Sequence, residues 1–76
     1  MTKDEKYLTE LYRLVEGSPE RGVDPACVGS NLGYSDRQTK NILKGLMKAN
    51  FVVYHNSDEV ALTSRGLSLA QSLTYA

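Results

Sequence analysis

The run from Ser35 to Glu59 limits most what this chain can fold into. Ser35 followed three residues later by Gln38 is a capping box, so a helix is expected to start at Asp36. At about 100° per residue, Thr39, Ile42, Leu43, Leu46, Met47 and Ala49 fall on one side of that helix and Arg37, Lys40, Asn41, Lys44 and Lys48 on the other. The β-rich residues Phe51, Val52, Val53 and Tyr54 then give way to the polar break His55-Asn56-Ser57-Asp58, and Glu59-Val60-Ala61-Leu62-Thr63 returns as a second strand. A two-stranded hairpin is marginal alone, so it must pack on helices.

The flanks supply them. Thr2 and Glu5 form another capping box, and Tyr7, Leu8, Leu11, Tyr12, Leu14 and Val15 recur at helical spacing until Gly17, which predicts helix one over about 3–16. Asp24-Pro25 reads as an N-cap and first helical residue, with Val23 and Val28 at the positions of a hydrophobic staple, and Gly33 stops helix two after about 25–32. Helix three runs over about 36–49, the hairpin over about 51–63, and a last helix, carrying Leu67, Leu69, Ala70 and Leu73, over about 64–74. Helices two and three lie a short glycine-containing turn apart, which is helix-turn-helix spacing. The expected fold is one mainly α domain over residues 1–76 with a small β-hairpin, in the order helix, helix, helix, strand, strand, helix.

Seventy-six residues leave no space for a second domain. Cys27 is the only cysteine, so no internal disulfide forms, and no Cys/His cluster has metal-ligand spacing. Behind Pro25, Cys27 is expected to pack inward. The charged start Met1-Thr2-Lys3-Asp4-Glu5-Lys6 leads straight into a helix pattern, and no apolar run is long enough for a signal peptide or membrane span, so a cytoplasmic protein is expected. With one His, one Cys, scattered carboxylates and no glycine-rich phosphate loop, neither enzyme activity nor a cofactor or metal is expected.

Net charge is zero, but its distribution is uneven. Residues 35–50 hold Arg37, Lys40, Lys44 and Lys48 against Asp36 alone, whereas residues 1–34 carry four cations and six anions. A basic face on the second helix of a helix-turn-helix suits double-stranded DNA. Arg37 and Asn41 have the chemistry to read guanine and adenine edges, Gln38 is a third base-contacting candidate, and Lys40, Lys44 and Lys48 would hold phosphates. Asp36 could accept from cytosine or simply favour the helix start. The hairpin residues His55 and Asn56 could enter a minor groove, but Asp58 and Glu59 stand where a phosphate-binding hairpin would carry cations. Tyr7, Tyr12 and Tyr34 read as core or core-edge residues, and Leu67, Leu69, Leu73 and Tyr75 span a sector wide enough to include a contact to a second copy.

Several segments together resemble the winged helix-turn-helix domain of bacterial and archaeal transcription regulators. They are Tyr7-Leu8 with Leu11-Tyr12, Leu32-Gly33-Tyr34-Ser35, Ile42-Leu43-Lys44-Gly45-Leu46, Asn50-Phe51-Val52-Val53-Tyr54 and Leu62-Thr63-Ser64-Arg65-Gly66. The likeness is greatest to the DNA-binding domain of diphtheria-toxin-repressor-like regulators, and it implies a winged helix that binds operator DNA; a homodimer is expected on a separate ground, that one short helix reads few bases. Where those regulators place a metal ligand before the Tyr-Leu pair this chain has Lys6, and their further ligands and dimerisation helices would fall past Ala76. Metal dependence and a dimer interface are therefore not carried over. The expected function is a sequence-specific DNA-binding transcription regulator; the rival is a protein-binding module of the same fold.

Overall fold

A computed structural model describes residues 1–75. The first helix, α1 (Lys3–Leu14), starts as its sequence dictates: Thr2 Oγ1 accepts from Glu5 N at 3.1 Å and Glu5 Oε1 accepts from Thr2 N at 2.9 Å. It ends two residues before the expected position. Glu16 and Gly17 both take positive φ, 55° and 73°, and the Gly17 N–H closes onto the Tyr12 carbonyl at 3.0 Å. α2 (Pro25–Asn31) is capped by Asp24, whose side chain accepts from Ala26 N at 2.9 Å, and it gives way at Leu32 to Gly33 with φ 75°. After the connection 32–35, the Ser35–Gln38 capping box opens α3 (Asp36–Lys48). Ala49, expected on its apolar side, is instead the exposed C-cap, because the chain leaves the helix through Asn50 at φ 66°.

Strands β1 (Val52–Tyr54) and β2 (Val60–Leu62) pair antiparallel in the register Val52↔Leu62, Val53↔Ala61 and Tyr54↔Val60. The far edge of β2 is occupied as well. Val23, just ahead of α2, exchanges two backbone hydrogen bonds of 2.9 Å with Val60, so the hairpin is fastened to the α1–α2 connection. The last helix is α4 (Ser64–Tyr75). The Thr63 hydroxyl donates to the Asn50 carbonyl at 2.6 Å and accepts from Gly66 N at 3.0 Å, tying the exit of α3 to the start of α4.

The domain is mainly helical: four helices and one antiparallel hairpin. α1 is its axis, touching the other three helices and β2. One core holds Tyr7, Leu8, Leu11 and Val15 of α1 and its cap, Val28 of α2, Ile42, Leu43 and Leu46 of α3, Val52, Val60 and Leu62 of the hairpin, and Ala70 of α4. Of the expected apolar stripe of α3, Thr39, Ile42, Leu43 and Leu46 are buried and Met47 is half-buried. Tyr7 is fully buried, yet its hydroxyl donates to the Pro25 carbonyl at 2.9 Å, and burial above all pushes its phenol pKa up. Tyr34 differs: its buried hydroxyl has no partner among the described residues. Removing an unpaired buried donor relieves a desolvation cost of about 1 kcal/mol. Tyr34→Phe is therefore expected to leave the melting temperature unchanged or to raise it by a few degrees; a clear drop in a thermal melt would mean that the hydroxyl has a partner after all.

Among the described residues no helix is long and apolar enough to cross a membrane.

Candidate nucleic-acid interface

The exposed face of α3 is fixed from beneath. Thr39 is buried and faces Gly29 of α2, where a Cβ would overlap the Thr39 hydroxyl; α2 and α3 can approach this closely only because residue 29 is glycine. With Ile42, Leu43 and Leu46 anchored in the core, the opposite face projects outward, and Arg37, Lys40, Asn41, Lys44 and Lys48 are all exposed. The spacings i, i+4, i+7 and i+11 bring Arg37, Asn41, Lys44 and Lys48 into one stripe about 60° wide. Lys40 lies about 60° to one side of its centre, toward the face that carries Asp36.

Gln38 is drawn away from this stripe. It is half-buried, and its Oε1 is held by the Ser35 N–H in the cap, leaving only its amide nitrogen for another partner. Of the three base-contacting candidates, Arg37 and Asn41 are the exposed ones.

The ion pairs lie elsewhere. Among the described residues they are Arg13–Glu10 at 2.6 Å on α1 and Arg21–Glu16 at 2.9 Å across the α1–α2 connection. Arg13 chiefly, with help from the Asn31 amide, holds the Glu10 carboxyl below its ordinary range, and the Asn31–Glu10 hydrogen bond of 3.0 Å links α1 to the end of α2. The four cations of α3 have no carboxylate within 4 Å among the described residues.

The hairpin is built differently from a free probing arm. Asn56 Oδ1 accepts from Asp58 N at 3.0 Å and Glu59 N at 3.2 Å, and its Nδ2 donates to Glu59 Oε1 at 3.1 Å, so the side chain that could have entered a groove forms the turn instead. Behind the turn, a Cβ on Gly22 would come within 3.0 Å of the Cβ atoms of both His55 and Glu59. The α1–α2 connection thus braces the hairpin from the back. His55 remains exposed, beside the acidic pair Asp58 and Glu59.

Three placements differ from the sequence expectations or extend them. Cys27 is exposed, not inward, because α2 turns Val28 and Gly29 to the core and residue 27 falls on the opposite side. Tyr54, read only as a strand residue, is 47% exposed at the turn end of β1, where it lines a cleft together with Asp36, Lys40 and Leu43 of α3. Arg65, given no role by the sequence, stands over the Phe51 ring with 5.2 Å to its centroid, which pins a cation beside the exit of α3. Alternation of apolar and polar residues is the signal that could have flagged Tyr54, but it fails in a strand of three residues.

Among the described residues no three His, Cys, Asp or Glu side chains gather closely enough to hold a metal. No protein-family model matches this chain, and no curated protein sequence is significantly similar to it.

Proposed function

We propose that this domain is a winged helix-turn-helix that binds double-stranded DNA as a sequence-specific transcription regulator, with α3 in the major groove. The observation that carries the reading is the stripe Arg37-Asn41-Lys44-Lys48: exposed, without an ion pair among the described residues, and set on a helix whose other face is locked in the core. Arg37 would take a guanine edge and Asn41 an adenine edge, while Lys44, Lys48 and Lys40 hold phosphates. The element order and the resemblance to diphtheria-toxin-repressor-like domains support the winged-helix reading, and a cytoplasmic site of action follows from the partner. A single helix of this length reads few base pairs, so a homodimer on two half-sites would complete the affinity.

The test is a salt titration of duplex binding. Lys44→Ala is expected to weaken binding to all sequences alike and to flatten the slope of log affinity against log salt by about one unit. Arg37→Ala is expected instead to lower the preference for the best sequence over random duplex by about tenfold or more. If mixed duplexes at low salt shift no amide resonance of α3, the reading is wrong.

A second reading is favoured by the hairpin. Its locked Asn56 and acidic Asp58 and Glu59 suit contact with a basic protein surface better than contact with phosphate. A protein-binding module would show no steep salt slope with DNA.

A further inference from the structure

One cleft lies beside the α3 stripe without belonging to it. Pro25 and Ala26 from the start of α2 and Leu43 of α3 give it apolar surface, and Tyr54 of β1 with Asp36, Thr39 and Lys40 of α3 complete its lining. Its volume is about 290 Å³, at the small end of the range for organic ligands. It is also preformed: the Tyr7 hydroxyl grips the Pro25 carbonyl at 2.9 Å, and the Gly29–Thr39 contact fixes how α2 and α3 sit together. A ligand entering it would not have to order these walls.

The cleft is amphipathic in a particular way. The cation of Lys40 and the phenol of Tyr54 line it together with carbon surfaces, which suits a group with an anionic head and an aliphatic ring. Lys40 lies off the centre line of the stripe on the side of this cleft, and among the described residues it makes no ion pair with Asp36. Asp36 repels an anion, so the groups of the lining that can take an anionic head are the Lys40 ammonium and the Tyr54 hydroxyl. The group that matches, and that would adjoin a helix lying in the major groove, is one unit of the DNA strand bordering that groove.

We propose that this cleft seats a single sugar–phosphate unit of duplex DNA, the deoxyribose against Pro25, Ala26 and Leu43 and the phosphate between the Lys40 ammonium and the Tyr54 hydroxyl. The seat rests on the DNA reading above, and it makes Tyr54 and Ala26 positioning residues that set how deeply α3 enters the groove. Its occupant carries no sequence information. It fixes register.

Fluorescence anisotropy of a labelled duplex, with the full chain at low and moderate salt, tests this. Ala26 is exposed in the first turn of α2, where an acidic side chain favours the helix start, so Ala26→Glu retains the fold while placing a carboxylate in the seat. It is expected to weaken duplex binding at least tenfold, whereas Ser30→Glu, exposed at the other end of α2 and outside the cleft, changes it less than threefold. Ala26→Lys should tighten binding and steepen the salt slope by about one unit. Tyr54→Phe, which removes one hydrogen bond to a charged oxygen, should cost about tenfold. The seat is overturned if either Ala26→Glu or Tyr54→Phe binds as wild type does while Lys44→Ala is weakened, an outcome that leaves the DNA reading standing. Absence of duplex binding by the wild-type protein overturns both.

Discussion

Gly66→Ala is expected to cost this domain about 3 kcal/mol, close to half the stability typical of its size. Gly66 is buried in the first turn of α4, and a Cβ there would be driven into the carbonyl group of Phe51. That obstacle is backbone and cannot rotate away. The same carbonyl accepts from Thr63 N at 3.1 Å, and Asn50 beside it is held by the Thr63 hydroxyl, so α4 cannot retreat without breaking the junction that joins it to α3. A melt followed by circular dichroism should show the midpoint falling by roughly 15 °C. Gly45→Ala makes the contrast within the same protein: Gly45 is exposed in the interior of α3, and the nearest atom to its added Cβ is Asp4 Oδ2 at 3.8 Å, an ordinary contact. There the gain in helix propensity should stabilise by about 0.5–1 kcal/mol. Equal effects at the two glycines would mean that the α3–α4 junction is not as described.

The second large effect is functional. Replacing Lys44 and Lys48 together by Glu reverses two charges on the proposed DNA face, and duplex affinity should fall by at least a hundredfold at moderate salt, since two phosphate contacts are lost and two repulsions introduced. Both side chains are exposed and make no ion pair among the described residues, so the melting temperature should change by only a few degrees. The loss of the helix C-terminal cations is a minor cost of a few tenths of a kcal/mol each. If the double variant melts normally and binds duplex as well as wild type, α3 is not the contact surface. A protein-binding domain would then be the better account, and the acidic hairpin the place to look for its partner.

Much of this architecture was legible because it is written locally. The two capping boxes Thr2–Glu5 and Ser35–Gln38, and the Asp24-Pro25 start, act within three residues of themselves, and each forms as its chemistry requires. The apolar stripe of α3 likewise appears at the buried positions. What escaped depends on residues far apart in sequence. Val23 reads only as the outer half of a hydrophobic staple with Val28 until Val60 arrives 37 positions later to pair with it. A small apolar residue behind a helix-starting proline is commonly packed, which points Cys27 inward, and only the position of α1 and α3 decides which side of so short a helix is covered. Gln38 shows the opposite limit. Its capping role forms as the sequence dictates, and the base contact proposed for it would compete for the same carbonyl oxygen.

The Val23–Val60 pairing has a bearing on where this chain tolerates change. Because the strand ladder grips residue 23 and Gly22 lies against the hairpin, the path into α2 is fixed from Gly22 onward. Upstream, Pro19 and Glu20 are exposed and lie outside the ladder. Extra residues are thus accommodated at 19–20 as a longer surface bow, whereas a single residue added between Val23 and Asp24 would rotate the start of α2 out of phase with the hairpin. The same boundary separates the stretch of sequence free to drift from the stretch that must stay in length register with Val60.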